Sequence, residues 1–212
     1  MPKRGANSDT TSFRAGAVDG VFDPPTALRF APVVVFTRLT FGAARAFTPH
    51  PSAFRDVRSR LIVLSFWAMA AAAMPTPFAP AWLTGLGVVG LVGCLVLFQW
   101  AVHSIRGRYF SYIFSTDEPQ FLHTSGPYAY IRNPAYASYL LALLSTALMF
   151  PSVLTLGLAV GMAAYFQHAA RFEEGKFEAS PLREEYQAYK ARTGRLLPRL
   201  DSLPWRSQRR NR

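Results

Sequence analysis

Hydrophobic residues are concentrated in two long windows that contain no formally charged side chain. Residues 61–105 hold 45 consecutive positions without Asp, Glu, Lys or Arg, and residues 133–170 hold 38 more. Because a membrane-spanning helix needs about 20 mostly apolar residues, each window is long enough for two spans. Proline-containing breaks at 74–80 and 150–152 divide the windows, since proline cannot continue the hydrogen-bond ladder of a helix. The pattern predicts four spans in two hairpins.

A soluble α-helical protein with two buried hairpins is the alternative to a membrane bundle. It would need charged residues on the outer faces of its helices, and neither window supplies any. We therefore predict an all-α, polytopic integral membrane helical bundle. Its four transmembrane helices are expected at about 61–75, 81–104, 134–150 and 152–172.

Two further helices are predicted outside the windows. The stretch 28–47 is apolar but carries Arg38 and Arg45, so we expect a helix that lies in the membrane interface with its arginines at the headgroups. A fifth span or a re-entrant segment at this position stays open. Between 180 and 194, apolar and aromatic residues repeat at helical spacing, which predicts an amphipathic helix on the cytoplasmic side.

The predicted helices form one domain between two tails. Residues 1–27 are polar and lack the apolar run of a signal peptide, so we expect a flexible N-terminal tail. The single predicted membrane domain covers residues 28–200, and residues 201–212 form a basic C-terminal tail. The oligomeric state is not readable from the sequence.

Basic residues give the chain a formal net charge of +11, all of it outside the two windows. The 23 Lys and Arg residues fall before residue 61, between 106 and 132, and after residue 170, so none lies in the turns inside the hairpins. By the positive-inside rule we expect these regions and both termini to face the cytoplasm, as in a bacterial inner-membrane protein. We expect anionic membrane lipids to be the partners of the excess basic residues, so no nucleic-acid partner is needed to explain them.

The sequence lacks the common motifs of metal, nucleophilic and nucleotide-dependent catalysis. No two of the four histidines are spaced i, i+4, and the single cysteine, Cys94, lies inside a predicted span, so no metal site is predicted. Neither a Gly-x-Ser-x-Gly elbow nor a Gly-rich phosphate loop is present. Polar residues instead collect at the cytoplasmic ends of the last three spans, which converge if the spans pack as a bundle.

Residues 124–136 read TSGPYAYIRNPAY. This segment resembles the signature of the isoprenylcysteine carboxyl methyltransferase and phospholipid methyltransferase superfamily. The other stretches similar to family motifs are, in chain order, RGRYFS at 106–111, Glu173 with Glu174, EYQAY at 185–189 and RLLP at 195–198. The resemblance covers about residues 95–200, in the order that the family shows.

The resemblance implies an S-adenosylmethionine-dependent membrane methyltransferase. It places the cofactor in a cytoplasm-facing pocket covered by the C-terminal segment, with a lipid-like or small apolar substrate arriving from the bilayer. Transfer of a methyl group from a sulfonium to an anionic acceptor removes opposite charges, so a water-poor site favours the transition state. The acceptor stays open among an isoprenylcysteine-like carboxylate, a phospholipid amine and a small thiol. An NADPH-dependent reductase of the related sterol-reductase fold, or a non-catalytic membrane scaffold, is the alternative.

The resemblance also suggests site residues. The catalytic candidates are Glu174, Arg195 and His168. The cofactor-binding candidates are His123, Gly126, Pro127, Tyr128, Arg132, Asn133, Pro134, Tyr136, Glu173 and Glu174. We expect Arg132 to hold the methionyl carboxylate, and Glu173 or Glu174 to accept from the ribose hydroxyls or the methionyl ammonium.

Structural roles compete with these assignments. Asn133 is suited to cap a helix that begins at Pro134, and the tyrosines are suited to an interfacial belt. The glutamates at 173 and 174 are expected, in the structural alternative, to pair with Arg171 or Lys176 at a solvated helix end. The sequence also departs from the family pattern, because Asn133 stands where many members have His, and PLR at 181–183 replaces Phe-Gly.

Overall fold

The structure, a computed structural model, describes residues 24–46, 57–105, 119 and 121–199 of the 212-residue chain. The α-helices in these ranges are α1 (Pro24–Leu28), α2 (Ala31–Ala46), α3 (Val57–Ala73), α4 (Ala81–Ser104), α5 (Pro134–Met149), α6 (Val153–Glu178) and α7 (Arg183–Arg192). Gly126–Ala129 forms a 3₁₀ turn, and the described part of the chain contains no β-strand beyond one isolated bridge. The predicted all-α class is confirmed.

The two hairpins are α3 with α4 and α5 with α6, and their turns lie where the prolines were expected to break the helices. Pro134 occupies the first turn of α5, as predicted. Helix α6 starts with a capping box, in which the Ser152 side chain accepts from the Thr155 backbone N–H at 3.1 Å. This helix runs to Glu178, six residues past the predicted end at 172, so both glutamates of the family motif lie on its last turns.

Helices α4 and α5 approach closely through small residues. A side chain at Gly87 would bring its Cβ to 2.8 Å from the Ser145 carbonyl oxygen, and one at Gly90 would overlap the Ser145 hydroxyl. Glycine at these two positions therefore allows the close approach of α4 and α5. Gly85, by contrast, faces open space.

Helix α2 is one of the packed helices of the bundle, which corrects the prediction of an interfacial helix at 28–47. Val35, Phe36 and Leu39 are buried, and the Phe36 ring stacks on Phe66 of α3 with 4.8 Å between ring centroids. The exposed Arg38 lies on a different face of the same helix. Because the two faces differ, α2 buries its apolar side chains without burying this arginine.

Helix α2 runs from the hairpin-turn end of the bundle to the opposite end. Arg29, directly before α2, donates through Nη1 to the carbonyl oxygens of Met74 at 3.0 Å and Thr76 at 2.7 Å, both in the α3–α4 turn. Near the other end of α2, Gly42 lies against Phe98, close to the end of α4. The start of α2 therefore lies at the end of the bundle opposite to the C-terminal segment. The prediction that both termini lie on one side of the membrane instead expects the start of α2 at the same end as the C-terminal segment.

Three helices of the described residues are long and apolar enough to cross a membrane, namely Thr26–Ala44, Ala81–Ser104 and Val153–Glu178. The remaining apolar helices, Ser59–Ala73 and Pro134–Met149, are shorter than a typical span of about 20 residues. These helices agree with an integral membrane protein. The number of four spans stays a prediction.

Candidate active site

A cavity lies at the end of the bundle where α5 begins and α6 ends, and α7 closes one side of it. Eight of the predicted site residues line this cavity: His123, Tyr128, Arg132, Asn133, Pro134, Tyr136, Glu173 and Glu174. They come from the segment before α5, from the first turn of α5 and from the last turns of α6. The structure therefore brings together residues that are about 40 to 50 positions apart in the sequence.

The C-terminal segment is hydrogen-bonded to the signature segment along the edge of the cavity. The Arg132 N–H donates to the Gly194 carbonyl at 2.8 Å, the Gly194 N–H donates to the Tyr130 carbonyl at 3.1 Å, and the Asn133 N–H donates to the Arg195 carbonyl at 3.1 Å. A Cβ at Gly194 would overlap the Leu197 carbonyl oxygen, so the chain needs glycine in this turn. These contacts fix the C-terminal segment beside the signature segment.

The buried Glu174 lies at the centre of a charge triad with Arg132 and the partly exposed Arg195. Its Oε1 accepts from Arg132 Nε at 3.0 Å and from Arg195 Nε at 2.9 Å, and its Oε2 accepts from Arg195 Nη2 at 2.8 Å. The residue is 5% exposed. The hydrogen bond to Glu174 raises the pKa of the Arg195 guanidinium. Pairing of Glu174 with Arg171 or Lys176, the structural alternative from the sequence, is not what the structure shows.

Arg132 also connects the signature segment to the end of α7. Its Nη1 donates to the carbonyl oxygens of Thr193 and, at 3.3 Å, of Lys190. Its Nε donates to Glu174, so the guanidinium binds the carboxylate through Nε and the two carbonyl oxygens through Nη1. The predicted ligand-binding residue thus has a structural role as well, because it holds the segment that covers the cavity.

Glu173 and Tyr136 form a second polar pair in the cavity wall. The Tyr136 hydroxyl donates to Glu173 Oε1 at 2.6 Å, and its ring stacks on Phe166 with 5.4 Å between centroids. Glu173 is half-buried, whereas Tyr136 is buried. The tyrosine therefore presents its ring to the cavity wall and its hydroxyl to a carboxylate.

His123 and Tyr128 lie together on the side of the cavity nearer to α4. The buried His123 ring is in hydrogen-bond contact with Ser125 Oγ, at 3.2 Å from Nε2, and meets the Tyr128 ring edge-on at 5.0 Å between centroids. The Tyr189 hydroxyl donates to the Tyr128 carbonyl at 2.7 Å. Burial raises the pKa of the Tyr128 hydroxyl well above its usual range, so this group is neutral.

Gly126 and Pro127 do not line the cavity, although they were predicted to bind cofactor. Gly126 has a φ of +62°, in the left-handed region that favours glycine. A Cβ there would overlap the Ser104 side chain at the end of α4. These residues instead pack the 3₁₀ turn against α4, which positions Tyr128 at the cavity.

The structure places two predicted catalytic residues outside the cavity lining, and the predicted helix cap at Asn133 is not formed. His168 is exposed on α6 and does not line the cavity. Arg195 lies behind Glu174 rather than in the lining. Asn133 occupies the N-cap position of α5 but makes no capping hydrogen bond, and its Nδ2 donates to the Arg195 carbonyl at 3.4 Å.

The residues of the lining that the sequence prediction missed are Phe121, Leu122, Ala135, Phe177, Tyr186 and Tyr189. Helical spacing would have identified some of them. Phe177 follows Glu173 by four positions and Glu174 by three, so it lies on the same side of α6. Tyr186 and Tyr189 are three positions apart and form one face of α7, which packs onto the bundle.

Among the residues that the structure describes, no three His, Cys, Asp or Glu side chains come together as a metal site requires. A family model described as phospholipid methyltransferase matches residues 81–185, from the start of α4 into α7. The match thus includes the signature segment and both cavity glutamates. No curated protein and no solved structure matches the chain.

Proposed function

Because the chain belongs to the phospholipid methyltransferase family over residues 81–185, we propose that it is a membrane methyltransferase that uses S-adenosylmethionine. The acceptor in this proposal is lipophilic and is methylated at the cytoplasmic membrane face. The observation that carries the proposal is one cavity that is lined by eight of the predicted site residues.

The lining of the cavity fits a cationic, amino-acid-containing cofactor. Tyr128, Tyr136 and Tyr189 supply aromatic rings, which attract a cation such as a sulfonium. S-adenosylmethionine supplies an electrophilic methyl group when it is bound. Arg132 would hold an anionic part of the cofactor, while Glu173 would accept from its ammonium or hydroxyl groups.

The two glutamates are assigned different roles. Both carboxylate oxygens of Glu174 are bound by arginines, so we assign Glu174 and Arg195 to holding the cavity together. Glu173 is then the better candidate base for a phospholipid amine, which must lose a proton to act as a nucleophile. A carboxylate or thiolate acceptor needs no such base.

We propose that the cavity end of the bundle faces the cytoplasm. Eighteen of the 23 Lys and Arg residues lie in 45–60, 106–132 and 171–212, segments that adjoin helix ends on the cavity side. Only four lie in 1–29, before α2. The positive-inside rule favours this orientation. In this arrangement α2 crosses the membrane as a fifth span, so α1 lies on the other side.

The proposal is tested by calorimetric titration of the purified protein in lipid nanodiscs. We expect S-adenosylmethionine and S-adenosylhomocysteine to bind and NADPH not to bind. NADPH binding alone would support the reductase alternative, and absence of binding for all three at millimolar concentration would support the scaffold alternative.

The acceptor is then identified by transfer of a radiolabelled methyl group. Incubation with isoprenylcysteine analogues, phosphatidylethanolamine and small apolar thiols should label one class. A methyl ester releases its label as methanol in base, whereas N-methyl and S-methyl products retain it. Base-stable labelling of phosphatidylethanolamine would assign the amine acceptor.

A further inference from the structure

The hydroxyl of Tyr186 is a buried polar group without a partner among the described residues. The residue is 2% exposed and lines the cavity, and its Oη makes no hydrogen bond. Its ring is stacked on Phe177 with 4.9 Å between centroids and 15° between planes. A buried hydroxyl without a partner costs about 1 to 3 kcal/mol, so a fold seldom keeps one without a ligand to satisfy it.

The charged side chains near Tyr186 include a cation that can meet an anionic ligand. Glu174 carries one negative charge between the two positive charges of Arg132 and Arg195, so this triad keeps one positive charge, while Glu173, also in the lining, adds a negative charge and accepts from the Tyr136 hydroxyl. Arg132 and Glu174 line the same cavity as Tyr186. Burial and, secondly, the Glu174 carboxylate raise the pKa of the Tyr186 hydroxyl well above its usual range. Tyr186 therefore keeps its proton and is a hydrogen-bond donor.

We propose that Tyr186 is a ligand-binding residue whose hydroxyl donates a hydrogen bond to an anionic oxygen of the molecule in the cavity. The inference rests on the proposed function and adds to it a binding contact in α7, outside the signature segment. Two sources carry this chemistry, namely the carboxylate of the methyl donor and the phosphate of an acceptor lipid. Arg132, in the same lining, is a cation that can pair with either oxyanion.

The test compares Tyr186→Phe with the wild type for three ligands in nanodiscs. These are S-adenosylhomocysteine, 5′-methylthioadenosine, which lacks the amino-acid part, and short-chain phosphatidylethanolamine. If the contact is to the carboxylate, the variant weakens S-adenosylhomocysteine about 10- to 100-fold and leaves methylthioadenosine unchanged, as expected for a hydrogen bond to a charged group. If the contact is to the phosphate, only the lipid is weakened.

The matched control is Tyr130→Phe. Tyr130 lies in the signature segment, but it is 40% exposed and is not part of the cavity lining. We expect it to bind all three ligands as the wild type does. Equal binding by Tyr186→Phe and wild type, or equal weakening of all three ligands, would overturn the inference. A wild type that does not bind S-adenosylhomocysteine would instead reject the proposed function.

The stability of the ligand-free protein separates ligand binding from a structural role. Tyr186→Phe removes an oxygen without a partner, so the melting temperature should stay the same or rise. Tyr189→Phe removes the hydrogen bond to the Tyr128 carbonyl, so its melting temperature should fall. A fall for Tyr186→Phe as large as that for Tyr189→Phe would overturn the inference.

Discussion

Arg195 binds both carboxylate oxygens of Glu174, with Nε 2.9 Å from Oε1 and Nη2 2.8 Å from Oε2. The arginine belongs to the C-terminal segment and the glutamate to α6, while Arg132 reaches the same carboxylate from the signature segment. One buried side chain therefore connects three parts of the chain. Glu174 and Arg195, which were predicted from the sequence to be catalytic, hold the C-terminal segment against α6 at the site.

Replacement of Glu174 should destabilise the cavity end of the bundle. Glu174→Gln leaves two arginines without their shared carboxylate, and breaking a buried pair in this way costs about 3 kcal/mol. The measurement is thermal unfolding in nanodiscs. Glu185→Gln, at an exposed position of α7, is the control and should unfold as the wild type does. Equal melting temperatures for the two variants would contradict the structural role of the triad.

A side chain at Gly126 should also lower stability. In Gly126→Ala the residue keeps a φ of +62°, which costs about 1 to 2 kcal/mol, and its Cβ overlaps Ser104. Gly175→Ala is the matched control, because this position in α6 has open space and alanine favours the helix. Unfolding measurements should show a loss only for Gly126→Ala. Adding Ser104→Gly should recover the part of the loss that comes from overlap, and no recovery would argue against the packing of the 3₁₀ turn on α4.

Cysteine labelling with a membrane-impermeant maleimide distinguishes the two topologies. Five spans place Ala27→Cys and Pro151→Cys on one side of the membrane and Glu185→Cys on the other, whereas four spans place Ala27→Cys with Glu185→Cys. We expect the first pattern in oriented vesicles, because Arg29 is bound to the α3–α4 turn. Cys94 is buried and serves as the unlabelled background.

The buried tyrosines predict a loss of stability in alkali. Burial raises the pKa of Tyr128, Tyr186 and Tyr189 in the folded protein, while in the unfolded chain these hydroxyls titrate near pH 10, as is usual for tyrosine. Above that pH the unfolded state releases protons that the folded state retains, so stability falls as pH rises. The contribution of these tyrosines to the melting temperature should be constant between about pH 7 and 9 and should fall above about pH 10. Tyr186→Phe should reduce the slope, and an equal slope in both proteins would contradict the burial of this hydroxyl.

The hairpin helices were predictable because two simple properties determine them. Absence of charge over whole windows and the positions of proline locate α3 to α6, and neither depends on long-range contacts. The packing of α2 was not predicted, because Arg38 argues against a packed helix when the segment is considered without regard to its faces. Its face-by-face pattern, with Val35 and Leu39 buried and Arg38 exposed, indicates a packed helix. The contact of Arg29 with a turn 45 residues away is tertiary and has no local signal.

The site was predictable in position more than in detail. Sequence order identified the helix ends that meet, and eight candidates line the cavity. Whether a candidate lines the cavity depends on which face of its helix it occupies. On α6 the buried row runs through Phe166, Ala170 and Glu174 at spacings of four, and His168 lies off this row. Pairing of Glu174 with Arg195 requires the C-terminal segment to fold back, which no spacing indicates.

The return of the C-terminal segment to the signature segment makes assembly of the site a late event in biosynthesis. Helices α2 to α6 are all synthesised before Gly194 and Arg195 leave the ribosome. A nascent chain that stops before Thr193 has every long helix but lacks the second arginine on Glu174 and the hydrogen bonds to the Arg132 backbone. Proteolysis between α7 and Thr193 would have the same effect, so an inserted protein can be inactive while its bundle is intact.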